Sequence, residues 1–293
     1  MTGDPAPRPG GDGAAPLDKT PARIAGMFDA IAHRYDHLNH VLSAGLDRRW
    51  RRQAVAAVGA PAGARVIDVC TGTADLAIAA CRGDAPAGAV LGVDFAGAML
   101  DIGLRKVRAS GLGGRVRLVR GDACRLPCGA GAVGAAALGV GIPEAGDAAP
   151  GGRGGRGLGG ADAGGLPCGP ATMDAATIGF GIRNVVDPAQ AVREIARVLK
   201  PGGRLAILEF GEPRLPLIRE AYLWYFRHVL PRVGRWLSRH AEAYAYLPAS
   251  VHAFLGPDAL AAVLRECGFD EVRVDRLALG IVCLYVGRKP AGP

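Results

Sequence analysis

The turn Cys70-Thr71-Gly72-Thr73-Ala74-Asp75 follows an apolar run, Val66 to Val69, and leads into a helical pattern from Leu76. Such a strand-to-helix turn offers backbone N–H groups, and Gly72 lets that backbone come close to a ligand. Asp94 ends the next apolar run, Val90 to Val93, at about the twenty-residue offset where an acidic side chain grips ribose hydroxyls. Asp122 follows a third run, Val116 to Val119. A nucleoside is the ligand class these residue types suit. A dinucleotide site would want G-x-G-x-x-G to hold a pyrophosphate, and this turn carries one glycine. S-adenosylmethionine has no phosphate, so one glycine suffices. It is the expected cofactor, with Asp68, Gly72, Thr73, Asp94, Asp122, Ala123 and Gly179 as candidate contacts. No metal is expected.

A second set of reactive groups lies in T-I-G-F-G-I-R-N-V-V-D-P, Thr177 to Pro188, and its flanks say how it is held. Met173 to Phe180 is a largely apolar run of buried-strand type. Asp187 followed by Pro188 is an N-cap with proline at the first helical position. Ala191, Ile195, Val198 and Leu199 then recur at helical spacing, and Lys200, Pro201, Gly202 and Gly203 stop the helix. Leu205 to Leu208 is another buried strand. Strand, helix and strand in that order predict a right-handed parallel βαβ unit. Ligands sit beyond the carboxyl ends of such strands, so Gly179 to Asn184 and Glu209 to Gly211 should face a site.

Two separated segments bear a family likeness: Y-D-H-L-N-H-V-L-S-A-G-L-D-R-R-W, Tyr35 to Trp50, and R-V-L-K-P-G-G-R-L-A-I-L-E, Arg197 to Glu209. Both resemble the menaquinone and ubiquinone C-methyltransferases, with weaker similarity from about Pro21 to Lys289. The resemblance implies an α/β class I methyltransferase fold, Rossmann-like, with a seven-stranded, mostly parallel sheet and helices on both faces. Val272 to Leu277 and Ile281 to Val286 would be its last two strands. It also implies S-adenosylmethionine-dependent C-methylation of a prenylated quinol, either demethylmenaquinol or the related benzoquinol of ubiquinone synthesis. The sequence departs from the family pattern at Leu38 for methionine, Asp47 for histidine, Ala74 for glycine, and Gly179 and Gly211 where serines are common. Asp47 exchanges an imidazole for a carboxylate, and Gly179 removes a potential cofactor hydrogen bond.

Methyl transfer of this kind needs an electron-rich ring carbon, which a quinol provides once its hydroxyl loses a proton and a quinone does not. Under the resemblance, Arg183 would face the developing phenolate, since guanidinium stabilises an oxyanion and hardly ever gives up its proton. Asn184 would orient the ring or a water, and Tyr35, with His37 or His40, would accept or relay protons. Two other readings stay open at this point: a methyltransferase of a small phenolic acceptor, and a catalytically silent relative that binds a lipid or partner.

Seven scattered cysteines without C-x-x-C pairing suit a reduced, cytoplasmic protein. Met1 to Thr20, rich in Pro, Gly and Asp, reads as a disordered extension ahead of a methyltransferase domain from 21 to 293. No run is long and apolar enough to span a bilayer. The formal charge of +8 is not matched by an aromatic, basic nucleic-acid module, so no nucleic acid is expected. A lid-like segment at about 213–250 instead mixes Arg219, Arg227, Arg232, Arg235 and Arg239 with Leu223, Trp224, Phe226 and Trp236. That composition suits peripheral contact with the inner membrane face. Finally, Asp122 to Ala149 aligns without gaps on Asp162 to Ala189, with 13 of 28 positions identical. A duplication leaves two candidates for one strand. Met173 to Phe180, in the second copy, should take it, because it alone leads into Arg183, Asn184 and the capped helix. The first copy should loop out as part of a flexible insertion at about 128–167.

Overall fold

Parallel strands buried on both faces read as continuous apolar runs, and five such runs form one side of the sheet. The computed structural model describes residues 18–126, 169–229 and 241–292. In it, β1 (Arg65–Val69), β2 (Ala89–Asp94), β3 (Val116–Arg120), β4 (Met173–Gly179) and β5 (Leu199–Phe210) are parallel neighbours. β6 (Asp270–Leu277) and β7 (Val282–Arg288) complete a seven-stranded sheet of order β3-β2-β1-β4-β5-β7-β6, with β7 antiparallel to both β5 and β6. The order reverses between β1 and β4, which opens a crevice at their carboxyl ends.

Alternation along each strand divides the core between two helical layers. Val66, Val90, Ala175 and Leu208 pack with α2 (Asp47–Val58), α3 (Asp75–Ala80) and α4 (Gly97–Ala109). Ile67, Leu91, Ile178 and Ile207 pack with α5 (Pro188–Val198) and, near the sheet's other edge, a helix over Pro257–Glu266. The apolar stripe of α5, Ala191, Val192, Ile195 and Val198, is fully buried, at about 1.5–3 kcal/mol for each of the larger side chains. α1 (Pro21–Leu42) lies across α4, and α6 (Pro216–Trp224) follows β5. Ala241–Ala253 forms α7, and the Pro257–Glu266 helix is α8.

The cap of α5 forms as its sequence predicts: Asp187 Oδ1 accepts the Gln190 N–H at 2.9 Å. β5 starts earlier than Leu205, because the chain joins the sheet at once, Leu199 pairing with Met173 before a register shift. The second repeat copy supplies β4. Most of the first copy and the rest of the proposed insertion lie outside the described residues, as do residues 1–17 and residues 230–240 of the lid-like segment.

Candidate active site

β1 ends in a carboxylate that no solvent reaches. Asp68 accepts the Thr71 hydroxyl at 2.6 Å and, from β4, the Thr177 hydroxyl at 2.7 Å, which ties the turn to both central strands. Burial pushes its pKa up to about 6, against the pull of those two hydroxyls. Above it the chain bends through Cys70, Gly72 and Ala74, all at positive φ. Gly72 takes this conformation at no steric cost, and a Cβ built there meets no atom within 4 Å.

The acid ending β2 is held from its own backbone side. Asp94 accepts the Gly72 N–H at 2.8 Å on one oxygen and the Ala96 N–H at 2.9 Å on the other. The Phe95 backbone N–H donates to the same carboxylate, and burial raises its pKa despite these donors. Open space at Gly72 beside a fixed carboxylate fits a ribose diol. Asp122, exposed, accepts the Cys124 N–H at 2.9 Å, and Ala123 is buried beside it. A small cavity lies between this strand end and the next, lined by Phe95, Asp122 and Ala123 on one side and Asn184, Val185 and Val186 on the other. Gly179 ends β4 close to Leu76, 3.2 Å from where its Cβ would stand.

Beyond β4, a single 3-10 turn holds Ile182, Arg183 and Asn184, all buried. Arg183 lies in a dry ion pair with Glu209 at the end of β5, 2.7 Å from Oε1, and its backbone N–H donates to Oε2 at 3.2 Å. The same guanidinium donates to the Phe180 carbonyl and stands 5.2 Å from the Phe210 ring centre. Its Nε–H is buried with no acceptor among the described residues. Asn184 Oδ1 accepts the Tyr246 hydroxyl, on α7, at 3.2 Å. Close approach of this segment to the turn after β1 depends on Gly181, whose Cβ would collide with that of Cys70.

α1 closes the turn from above. Thr73 donates its hydroxyl to Asp36 at 2.5 Å, Lys106 of α4 pairs with Asp36 at 2.7 Å, and Lys106 also bonds Thr73 and Asp75. Arg51 reaches Asp75 at 3.5 Å and pairs with Asp47. Asp47 also accepts His40 Nδ1 at 2.8 Å and the Ser43 hydroxyl at 3.0 Å. Burial pushes Asp47 up, but Arg51, Ser43 and His40 together hold it below the usual carboxylate range. The carboxylate that departs from the family pattern is therefore fully engaged.

Among the residues expected from sequence, Asn184, Asp122 and Ala123 line one cavity, while Arg183 and Asp94 are buried at their strand ends. Tyr35 is half-buried, edge-on to Phe28, with its hydroxyl pKa raised by burial and drawn back by Arg183. His37 is exposed and His40 is committed to Asp47. Asp68 and Thr73 support the turn through hydrogen bonds already made. Sequence reading missed Lys19 at the cavity wall, Tyr246 behind Asn184, and Lys106. Only the placement of Glu209 at a strand's carboxyl end pointed toward the Arg183 pair.

The profile of the ubiE/COQ5 methyltransferase family matches residues 17–153 and 159–289. The ubiquinone/menaquinone biosynthesis C-methyltransferase UbiE of Geobacter sp. (strain M21) is 38% identical over 273 residues, 93% of this chain and 99% of that protein. The demethylmenaquinone methyltransferase of Thermus thermophilus is 39% identical, covering 90% of this chain and all of that protein. In fold, a SAM-dependent methyltransferase from Thermotoga maritima superimposes with a TM-score of 0.54 at 16% identity, covering 91% of this chain and 99% of that one.

Proposed function

Because the chain belongs to the ubiE/COQ5 methyltransferase family, we propose that it methylates a ring carbon of a prenylated quinol, demethylmenaquinol or the related benzoquinol of ubiquinone synthesis. The observation that carries the reading is the cavity between strand ends, with Phe95, Asp122 and Ala123 on one wall and Asn184 on the other, next to the Asp94 carboxylate that holds the open Gly72 turn. S-adenosylmethionine, when bound, supplies an electrophilic methyl group. Asp94 would hold its ribose hydroxyls, with Gly72, Asp122 and Ala123 around the rest of the nucleoside.

The chain's own residues then prepare the acceptor. Glu209 neutralises the Arg183 charge, so Arg183 acts as an oriented N–H donor through its unengaged Nε. Tyr246 occupies the Asn184 carbonyl oxygen and leaves the amide N–H groups for the acceptor. Tyr35, whose hydroxyl keeps its proton well above neutral pH, is suited to donate a hydrogen bond and unsuited to be the base. The cavity is lined largely by apolar groups, Pro21, Phe95, Ala123, Val185 and Val186, and a low local dielectric strengthens each of these interactions.

The same proposal places the enzyme at the cytoplasmic membrane surface. On and beside α6, Leu215, Leu217 and Trp224 are exposed by 57%, 77% and 59%, next to Arg214 and Arg219. No single helix among the described residues is long and apolar enough to cross a bilayer. An apolar face rimmed by arginine suits a protein that takes a prenylated substrate from a bilayer.

The reaction is tested by supplying S-adenosylmethionine with reduced or oxidised demethylmenaquinone. Only the reduced acceptor should be methylated, and Arg183→Ala should lower turnover far more than it lowers cofactor affinity. Equal rates with both redox forms would remove the mechanism. Sedimentation with anionic vesicles tests the surface, and Leu217→Glu should weaken it.

A further inference from the structure

The cations around the crevice are mostly neutralised. Arg183 is paired with Glu209, Arg51 with Asp47 and Asp75, and Lys106 with Asp36 and Asp75. Lys19 is different. Half-buried, it lines the cavity together with Asn184 and Asp122, and no residue among those described makes a hydrogen bond or ion pair with it. Its backbone position is set just ahead of α1, where the Thr20 N–H donates to Asp18 at 2.9 Å and Pro21 starts the helix. Its Nζ stands 5.9 Å from the Phe254 ring centre, over an aromatic face that favours a cation. Burial and the nearby Arg183 both lower the ammonium pKa, with Glu209 opposing them.

We propose that Lys19 is a further catalytic residue, the ammonium that meets the ionising hydroxyl of the acceptor in the cavity beside Asn184. The inference rests on the quinol-methylating reading. A paired arginine supplies direction but no net charge, whereas a phenolate in a dry site needs a net cation beside it. The step is a proton transfer only. The acceptor O–H bond breaks, its proton leaves to solvent at the cavity mouth, and the oxyanion is held by the Lys19 ammonium. The groups that face Lys19 and share in any pH dependence are Arg183 and Glu209 from the ends of β4 and β5, and Asp122 from the end of β3.

The test compares wild type with Lys19→Met and Lys19→Arg by two readouts. The first is the ionisation of 4-nitro-1-naphthol added to the protein, followed by the absorbance of its anion. The second is turnover of reduced demethylmenaquinone, with cofactor affinity measured by calorimetry and folding by circular dichroism. In wild type and Lys19→Arg the naphthol should ionise at lower pH than in buffer. In Lys19→Met that shift should vanish, by about one pH unit or more. Turnover should fall about tenfold or more in Lys19→Met and be largely restored in Lys19→Arg, with cofactor affinity unchanged. The proposal is overturned if wild type leaves the naphthol titration where it is in buffer, or if folded Lys19→Met titrates and turns over like wild type. It is equally overturned if Lys19→Met loses cofactor affinity in proportion to rate, which would assign Lys19 to the cofactor. A wild-type protein that methylates no reduced quinol, yet still shifts the naphthol in a Lys19-dependent way, would sink the substrate reading and leave the charge assignment standing.

Discussion

Replacing Asp68 with asparagine isolates what it costs to keep an ionised carboxylate beneath the turn that follows β1. Its pKa of about 6 in the folded chain stands against an ordinary value of 3.8, so the folded state binds the Asp68 proton more tightly than the unfolded chain does. The stability this provides is fully present below pH 3.8 and is lost as pH rises through about 6. At 1.36 kcal/mol per pH unit, the whole loss is about 3 kcal/mol, and about half of it falls between pH 5 and pH 8. Asparagine has the same shape and no titrating proton. Its oxygen can accept one threonine hydroxyl and its amide can donate to the other. Urea unfolding followed by tryptophan fluorescence, across that pH range, should show Asp68→Asn gaining about 1.5 kcal/mol on wild type. A difference that is flat with pH, or that moves the other way, would refute the reasoning. The same variant should bind S-adenosylmethionine more weakly, by about 1–2 kcal/mol, because a carboxylate that burdens the empty fold favours a cationic cofactor nearby.

Asp94→Ala should cost about 2–4 kcal/mol of cofactor binding, since it removes both acceptors of the ribose diol; calorimetry on the folded variant giving wild-type affinity would reject this role. Gly181→Ala should destabilise the chain by about 1–3 kcal/mol by pushing the Arg183 turn off Cys70, and adding Cys70→Gly, at a residue with φ of 56°, should recover most of the loss in melting temperature. Asp47→His, which restores the residue usual in the family, should cost about 3 kcal/mol here, because Arg51 and His40 lose their shared carboxylate. An unchanged urea midpoint would show that Asp47 is not the centre of that cluster.

The sheet was largely legible, because a parallel strand announces itself locally as an apolar run followed by a turn residue. Val66 to Val69, Val90 to Val93 and Met173 to Phe180 all mark strands observed within a residue or two. Choosing between the repeat copies was possible for the same reason, since Asp187 and Pro188 cap a helix after only one of them. Lys200 to Gly203 misled: a breaker ends the helix there, but the backbone goes directly into pairing with β4, which depends on a neighbour more than twenty residues away. The site was legible at its strand ends and illegible in its partnerships. Nothing local in the sequence says that Arg183 spends its charge on Glu209, that Tyr246 holds Asn184, or that Lys19 reaches the cavity. Likewise His37 and His40 looked equivalent on paper, and one turn of helix separates an exposed ring from one bound to Asp47.

The clasp between α1 and the cofactor turn makes residence time a property of a helix that need not touch the cofactor. Thr73 and Asp75 are bonded through Lys106 to Asp36, so the turn relaxes when α1 lifts and α1 is steadied when the turn is filled. Such coupling is reciprocal: whatever ordering the helix lends to the bound ligand, the ligand returns to the helix. Half-exposed ion pairs weaken as salt rises, so product would leave faster in concentrated salt while the sheet beneath stays folded. Release of the spent cofactor would then be timed by the lifting of α1, the helix that brings Asp36 to the turn.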